Sequence, residues 1–380
     1  MRARRDGAVR QTEKTVTAGF YAPLPPARTG VADYAATLLA GMKKLGPVEV
    51  APEACDVALY HLGNNALHAA IYQLALEKPG VVVLHDAVLH HFLLGQLDEA
   101  AYIEEFVYNY GEWNRGTARE LWRERASSGA DRRYFDYPML RRILDCSRCV
   151  VVHNPGAARI AFAHGPQARV VEMPHLFAGP GDPPGVAETL RWRQRWSIDP
   201  ASLVFGVFGY LRESKRLMAI VEAFSQVRRV YPRTALLVAG EFVSSDLERA
   251  AAPLLSAPGI VRRPHLEERE WWLAANAVDA CINLRYPPAG ETSGIAIRLM
   301  GIGKPVMLTD SLECTRFPED ACIRIAVGAA ERDSLREHML LLSGMPDVAA
   351  AIGERAAAHI RACHGVDEVA ARYWEVLRTA

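Results

Sequence analysis

The sequence has no net charge, no long apolar run and little cysteine. Its 44 basic residues balance its 44 acidic ones, which removes the electrostatic reason to expect a nucleic-acid partner. No stretch reaches the roughly 20 apolar residues that a bilayer-crossing helix needs, so the expected membrane contact is at most peripheral, at the inner membrane surface. Seven cysteines, odd in number and irregularly spaced, argue for thiols in a reducing, cytoplasmic compartment rather than for a disulfide framework. Arg2, Arg4, Arg5 and Arg10 are followed by charges and prolines instead of a secretory apolar segment. Residues 1–15 are therefore expected to form a flexible basic tail. An early strand followed by G-x-G-x-x-G is also missing, which counts against a dinucleotide-dependent dehydrogenase.

What the chain does have is a globular composition, 50% apolar and 23% charged over 380 residues, enough for two domains of roughly 150 to 200 residues each. Short, continuous apolar runs at 16–21, 56–60, 81–84 and 149–153 read as buried parallel strands. Asp33 is expected to cap a helix whose apolar side is Ala35, Leu38, Leu39, Met42 and Leu45. Residues 88–145 read as a mostly helical elaboration. Proline and glycine crowd 174–185, PHLFAGPGDPPG, and mark a linker. Beyond a helix at 186–195, strands are expected at 203–209, 235–240, 278–284 and 305–310, with final helices at 347–362 and 366–378. The expectation is an α/β fold of two Rossmann-like domains, 16–180 and 181–362, with 363–380 as a terminal helix. A site would lie in the cleft between them, where strands deliver their carboxyl ends.

Two segments carry the strongest chemical signal. In 283–306, NLRYPPAGETSGIAIRLMGIGKPV, Glu291 precedes Thr292, Ser293 and Gly294 at the start of an expected helix. Helix-start amides suit an anion, and a carboxylate suits sugar hydroxyls; a plain helix cap is the alternative. In 206–216, GVFGYLRESKR, Gly209 opens a loop from which Arg212 and Lys215 can reach a diphosphate; the alternative is a solvated helical turn. His85 and Asp86 follow a buried strand, so they emerge at its carboxyl end as hydroxyl-binding groups or as a loop cap. Asn64 and Asn65 follow another strand and line the acceptor side or form a turn. His61, His68, His90 and His91 lack a convincing metal-ligand pattern, and Cys146 and Cys149 read as ordinary thiols.

The series GYLRESKRLMAIVEAF, YPRTALLVAG and GETSG followed by GIGKPV resembles the C-terminal half of the retaining glycosyltransferase family four, which has the GT-B fold. PLPPARTGVADYA and VVVLHD resemble its first half more loosely. The resemblance implies that Lys215 binds the donor diphosphate and Glu291 contacts the donor sugar. It likewise implies that Gly30 lies in a loop closing over the phosphates, that His85 lines the transfer site, and that the helix with Tyr373 and Trp374 crosses back to the first domain. Gly209, Arg212, Thr292, Ser293 and Gly294 complete the implied donor site. Two positions depart from the family pattern. Tyr210 follows Gly209 where the family has arginine, so that Arg212 or Arg216 would supply the charge. Arg298 stands where a second glutamate would hold the ribose. The implied activity is transfer of a glycosyl group, a hexosyl group foremost, from a nucleoside diphosphate sugar to a saccharide, lipid-linked or small-molecule hydroxyl acceptor. Neither a tightly bound cofactor nor a metal is implied. The rival readings are a noncatalytic nucleotide-sugar-binding protein and a GT-B-like sugar-nucleotide epimerase.

Overall fold

Two six-stranded parallel sheets organise the chain, whose computed structural model describes residues 16–380; the expected basic tail, 1–15, lies outside the described residues. The first sheet contains β1 (Ala18–Tyr21), β2 (Val48–Val50), β3 (Val57–Leu62), β4 (Val81–Leu84), β5 (Cys149–Val152) and β6 (Val170–Glu172), in the order β2-β1-β3-β4-β5-β6. The second contains β7 (Leu203–Phe208), β8 (Thr234–Ala239), β9 (Ile260–Arg263), β10 (Ala280–Asn283), β11 (Val306–Thr309) and β12 (Ile323–Ile325), in the order β12-β11-β10-β7-β8-β9. Valine, leucine and isoleucine dominate the interior strands because helices cover both faces, leaving no polar side for the usual alternation. Tyr60, Phe106 and Ile143 are among the side chains buried on one face of the first sheet, and Phe20, Leu38 and Val83 on the other. Two more buried clusters cover the second sheet in the same way.

Four strands were not expected from the sequence: β2, β6, β9 and β12. All four are sheet edges. The long helical region between β4 and β5 is present, with helices His90–Gln96, Glu99–Tyr110, Arg115–Glu124, Arg133–Asp136 and Arg141–Cys146. The helix expected to start at an Asp33 cap instead runs Gly30–Lys43, with Thr29 as the cap and its side chain accepting from the Val31 amide at 3.4 Å. Asp33 falls in the first turn, and Leu45 lies beyond the helix and is exposed rather than on its apolar side. Thr29, three residues before the helix's first buried position, Ala32, outcompeted the aspartate because it sits where the backbone is still extended.

The chain passes between the sheets twice. The first passage is the irregular stretch after β6, and the second is the turn between helices Pro346–Cys363 and Val366–Thr379. The two passages are bonded to each other: the Phe177 amide donates to the His364 carbonyl at 2.8 Å, and His364 Nδ1 bonds to the His175 carbonyl at 2.5 Å. Helix Val366–Thr379 then packs on helix Gly30–Lys43 of the first sheet's layer. Gly41 permits this approach, since a Cβ there would lie 3.0 Å from Val366 Cγ1. Trp374 Nε1 donates to the Met42 carbonyl at 3.0 Å.

Candidate functional site

In the second sheet the strand order reverses between β7 and β10, and ligands of open α/β sheets bind outside the carboxyl ends at such a point. Gly209 follows β7 with φ +85°, and a Cβ on it would meet Ile295 Cδ1 at 2.3 Å and Lys215 Nζ at 3.2 Å. Glycine is required there on both counts. A short turn, Glu213–Lys215, returns Lys215 beneath the loop, where its Nζ donates to the Phe208 carbonyl. Lys215 is 4% exposed. Burial, with help from Arg285 and Arg212 and against Glu291, holds its pKa well below the ordinary lysine value. An anion beside Nζ would reverse that shift.

The segment after β10 supplies the acid. Glu291 Oε2 accepts from the Ala289 amide at 2.8 Å, while Oε1 pairs with Arg285 Nε at 3.1 Å. Burial raises the Glu291 pKa; Arg285 opposes the shift and Asp86 adds to it. Ser293 caps helix Gly294–Gly301 by accepting from the Ala296 amide at 3.3 Å, so the first amides of that helix face outward from its start. Thr292 lies outside the helix rather than in its first turn, and its Oγ1 is engaged by Asn154 Nδ2 at 2.9 Å.

The first sheet faces this group with His85 and Asp86 at the end of β4. The Asp86 carboxylate accepts from the Asn64 amide at 2.8 Å. Burial raises its pKa, and Arg212 and Arg285 pull it down. Asp86, Glu291, Lys215, Arg285 and Arg212 thus form one electrostatic group contributed by both sheets. His85 Nε2 bonds to His61 Nδ1 at 3.0 Å, and the ring stands 4.9 Å from Tyr34 and 5.2 Å from His153. Burial foremost, then the neighbouring histidines, keeps the His85 pKa well below the usual imidazole value. It therefore serves as a neutral hydrogen-bonding ring rather than as a cation.

Gly30 begins its helix with open space where a Cβ would point. Its loop reaches the second half through Arg28, whose carbonyl accepts from Tyr210 Oη at 3.3 Å. Arg298 is committed elsewhere: its guanidinium lies 3.9 Å from the Trp271 ring centre and 4.3 Å from that of Trp272, and Nη2 donates to Glu268 at 2.5 Å. Asp33 senses this pair across the cleft. Burial raises its pKa, with Arg298 opposing and Glu268 adding. Arg216 pairs with the buried Glu331 at 2.8 Å, which leaves Arg212, exposed on the loop, as the arginine nearer Asp86 and Lys215.

Four neighbours of the site were not singled out from the sequence. Arg285 is the counterion of Glu291, and its position directly after an apolar strand was the available signal. His175 approaches the helix start, since a Cβ on Gly294 would lie 3.3 Å from its Cε1. Asn154 joins the two halves. Asn283, 4% exposed, has neither amide atom hydrogen-bonded and lines a cavity of about 40 Å³ with Glu291, Thr292, Ser293 and Thr309. A larger cavity of about 890 Å³ opens at the other end of the sheet, among Leu203, Thr234, Asp279 and Pro305 where the strands begin. The histidines considered as metal ligands are used otherwise: His90 bonds to the Tyr137 carbonyl and to Tyr102 Oη, each at 2.8 Å, and His68 bonds to the His61 carbonyl at 2.9 Å.

No family model and no curated protein matches the chain. Solved structures do match in shape. HepE from Anabaena, in complex with UDP and glucose, superposes with a TM-score of 0.66 at 13% identity, over 96% of this chain and 100% of that one. Sucrose-phosphate synthase from Thermosynechococcus elongatus gives 0.67 at 13% identity, over 96% and 98%. WaaG, a glycosyltransferase involved in lipopolysaccharide biosynthesis, gives 0.59 at 14% identity, over 95% and 99%. Such likenesses concern architecture, and the architecture is plain: the chain is built on the GT-B plan, two Rossmann-like parallel sheets flanked by helices.

Proposed function

We propose that this protein transfers a glycosyl group, most simply a hexosyl group, from a nucleoside diphosphate sugar to a hydroxyl acceptor, with retention at the anomeric carbon. The observation that carries the proposal is the charge arrangement at the sheet reversal: a buried lysine, two arginines and a helix start adjoin a half-buried glutamate, with His85 and Asp86 facing them from the other sheet. Electrostatic groups fixed in advance are most effective where charge develops during reaction. UDP and glucose in complex with Anabaena HepE, a protein of the same architecture, support a donor of this class.

In this reading the diphosphate lies against Gly209, Arg212, Lys215 and the amides of Gly294 and Ile295, while Glu291 holds sugar hydroxyls. The acceptor oxygen attacks the anomeric carbon as the bond to the phosphate oxygen breaks. The proton of the acceptor passes to the departing phosphate on the same face, which preserves configuration. Lys215 gains its full charge as negative charge accumulates on the diphosphate. Gly30 and His85 cover the donor, excluding water. The acceptor is a saccharide, lipid-linked or small hydroxyl compound, and the setting is cytoplasmic carbohydrate synthesis. No helix among the described residues is long and apolar enough to cross a membrane.

Calorimetric titration with UDP-, GDP-, ADP- and TDP-sugars tests the reading, with Lys215→Ala and Glu291→Ala as folded controls. Selective binding of one donor, weakened in both controls, is expected. Absence of binding by all four, or wild-type transfer by both variants, would overturn the assignment.

A further inference from the structure

Asn154, 1% exposed, follows β5 at the carboxyl edge of the first sheet. Its carboxamide is used completely, and in two directions. Oδ1 accepts from the Ala157 amide at 2.7 Å and caps helix Pro155–His164. Nδ2 donates to the Gly290 carbonyl and to Thr292 Oγ1, both at 2.9 Å. These two acceptors bracket Glu291 in sequence. A second tie lies alongside: the Ala87 amide donates to the Ala289 carbonyl at 2.8 Å. Gly290 adopts φ +71°, and a Cβ on it would lie 2.5 Å from Ala87 Cβ and 3.4 Å from Ala157 Cα. The backbone before Glu291 and the Thr292 side chain after it are therefore held by residues of the first half, although Glu291 belongs to the second.

We propose that Asn154 is a positioning residue that sets the Glu291 segment only when the two halves meet, so that closure of the cleft and assembly of the sugar contact are one event. The proposal rests on the reading of Glu291 as the donor-sugar contact. The residue type follows from the geometry. Capping needs an acceptor, and the two second-half oxygens need two donors on one atom, a combination that asparagine supplies in so short a side chain. Aspartate retains the acceptor and is as good a cap, but it has no donor and places a negative oxygen against the Gly290 carbonyl. Asn154→Asp thus separates the tie from the cap. The loop at Gly209 and Lys215 makes no bond to Asn154, so loss of the tie leaves that loop's contacts to a diphosphate in place.

The experiment uses the full chain as Asn154→Asp, with Thr292→Val as a second variant that removes one acceptor while keeping shape. Amide hydrogen exchange is followed at 289–293 and at 157–158, alongside donor turnover and calorimetric binding of UDP, GDP, ADP and TDP. In Asn154→Asp, exchange at 289–293 is expected to rise on the order of tenfold, with 157–158 as protected as in wild type. The rate constant kcat falls at least about tenfold, while affinity for the nucleoside diphosphate stays within about threefold. Thr292→Val shows the same pattern to a smaller degree. Wild-type exchange at 289–293 in both variants, or wild-type kcat in Asn154→Asp, overturns the proposal. Failure of the unmodified protein to bind any of the four diphosphates would remove the donor reading instead, and the exchange measurement would still decide whether Asn154 sets the segment.

Discussion

Tyr34 and Tyr373, 339 positions apart, meet hydroxyl to hydroxyl at 2.9 Å with both rings buried. Tyr34 also stands among the rings of His85, His153 and His175, at 4.9, 5.2 and 4.7 Å. Removing one hydroxyl strands the other away from water. Tyr373→Phe is expected to cost about 1 to 3 kcal/mol. The double variant Tyr34→Phe/Tyr373→Phe should recover most of that loss, because neither polar group remains. A double-mutant cycle by urea denaturation measures this; additive losses would contradict it.

Lys215 illustrates a conflict between stability and binding. Its depressed pKa means that folding places a cation where water would be preferred. Lys215→Met keeps the apolar stem and removes the charge. Its melting temperature without ligand should match or exceed wild type by about 2 to 4 °C. Its affinity for the nucleoside diphosphate should fall by a factor on the order of 100.

The same depression predicts proton uptake on binding. An anion beside Nζ raises the Lys215 pKa, so the complex holds more protons than the free protein over the interval between the two values. Affinity therefore declines as pH rises through that interval. Calorimetry of UDP binding in Tris and HEPES, whose ionisation enthalpies differ, should show uptake in wild type and none in Lys215→Met.

Acid should unfold the protein through its histidines. Burial lowers His61 to about 3, His153 to about 4 and His175 to about 3. Unfolded histidine takes a proton near 6.5, so between 6.5 and these values the unfolded chain binds more protons. The stabilisation is complete above 6.5 and is lost as pH falls through these values, toward about 3. Melting temperature should drop steeply over that range, and His153→Gln should flatten the slope.

Gly290 offers a conformational test. Gly290→Ala puts a methyl group 2.5 Å from Ala87 Cβ, well inside van der Waals contact, and strains a left-handed backbone. Small-angle scattering should report a larger radius of gyration than wild type, with secondary structure unchanged by circular dichroism.

How much of this was legible in the sequence depends on who a residue's neighbours are. The interior strands were visible because two covered faces demand unbroken apolar runs, such as VVVL in β4 and LVFGVF in β7. Edge strands have one neighbour and need only three or four residues; IVRR in β9 mixes two arginines into a half-exposed ribbon and carries no such signature. The site divides along the same line. Lys215, Glu291 and His85 follow strands or glycine loops and could be picked out locally. Asn154 could not, since it looks like any helix cap until Gly290 is brought beside it from 136 positions away. Arg298 was visible, but its partners Trp271, Trp272 and Glu268 on a neighbouring helix were not.

The chain's two passages between the sheets, joined where Phe177 and His175 bond to His364, set the mechanics of the molecule. A single tether lets one body swivel freely about the other. Two strips fastened side by side act as a door hinge: they flex about one line and resist torsion. The second sheet and its helices are in this sense a leaf inserted into the first, so that any opening of the cleft would follow one arc and any closing would return Glu291 to the same register with Asn154.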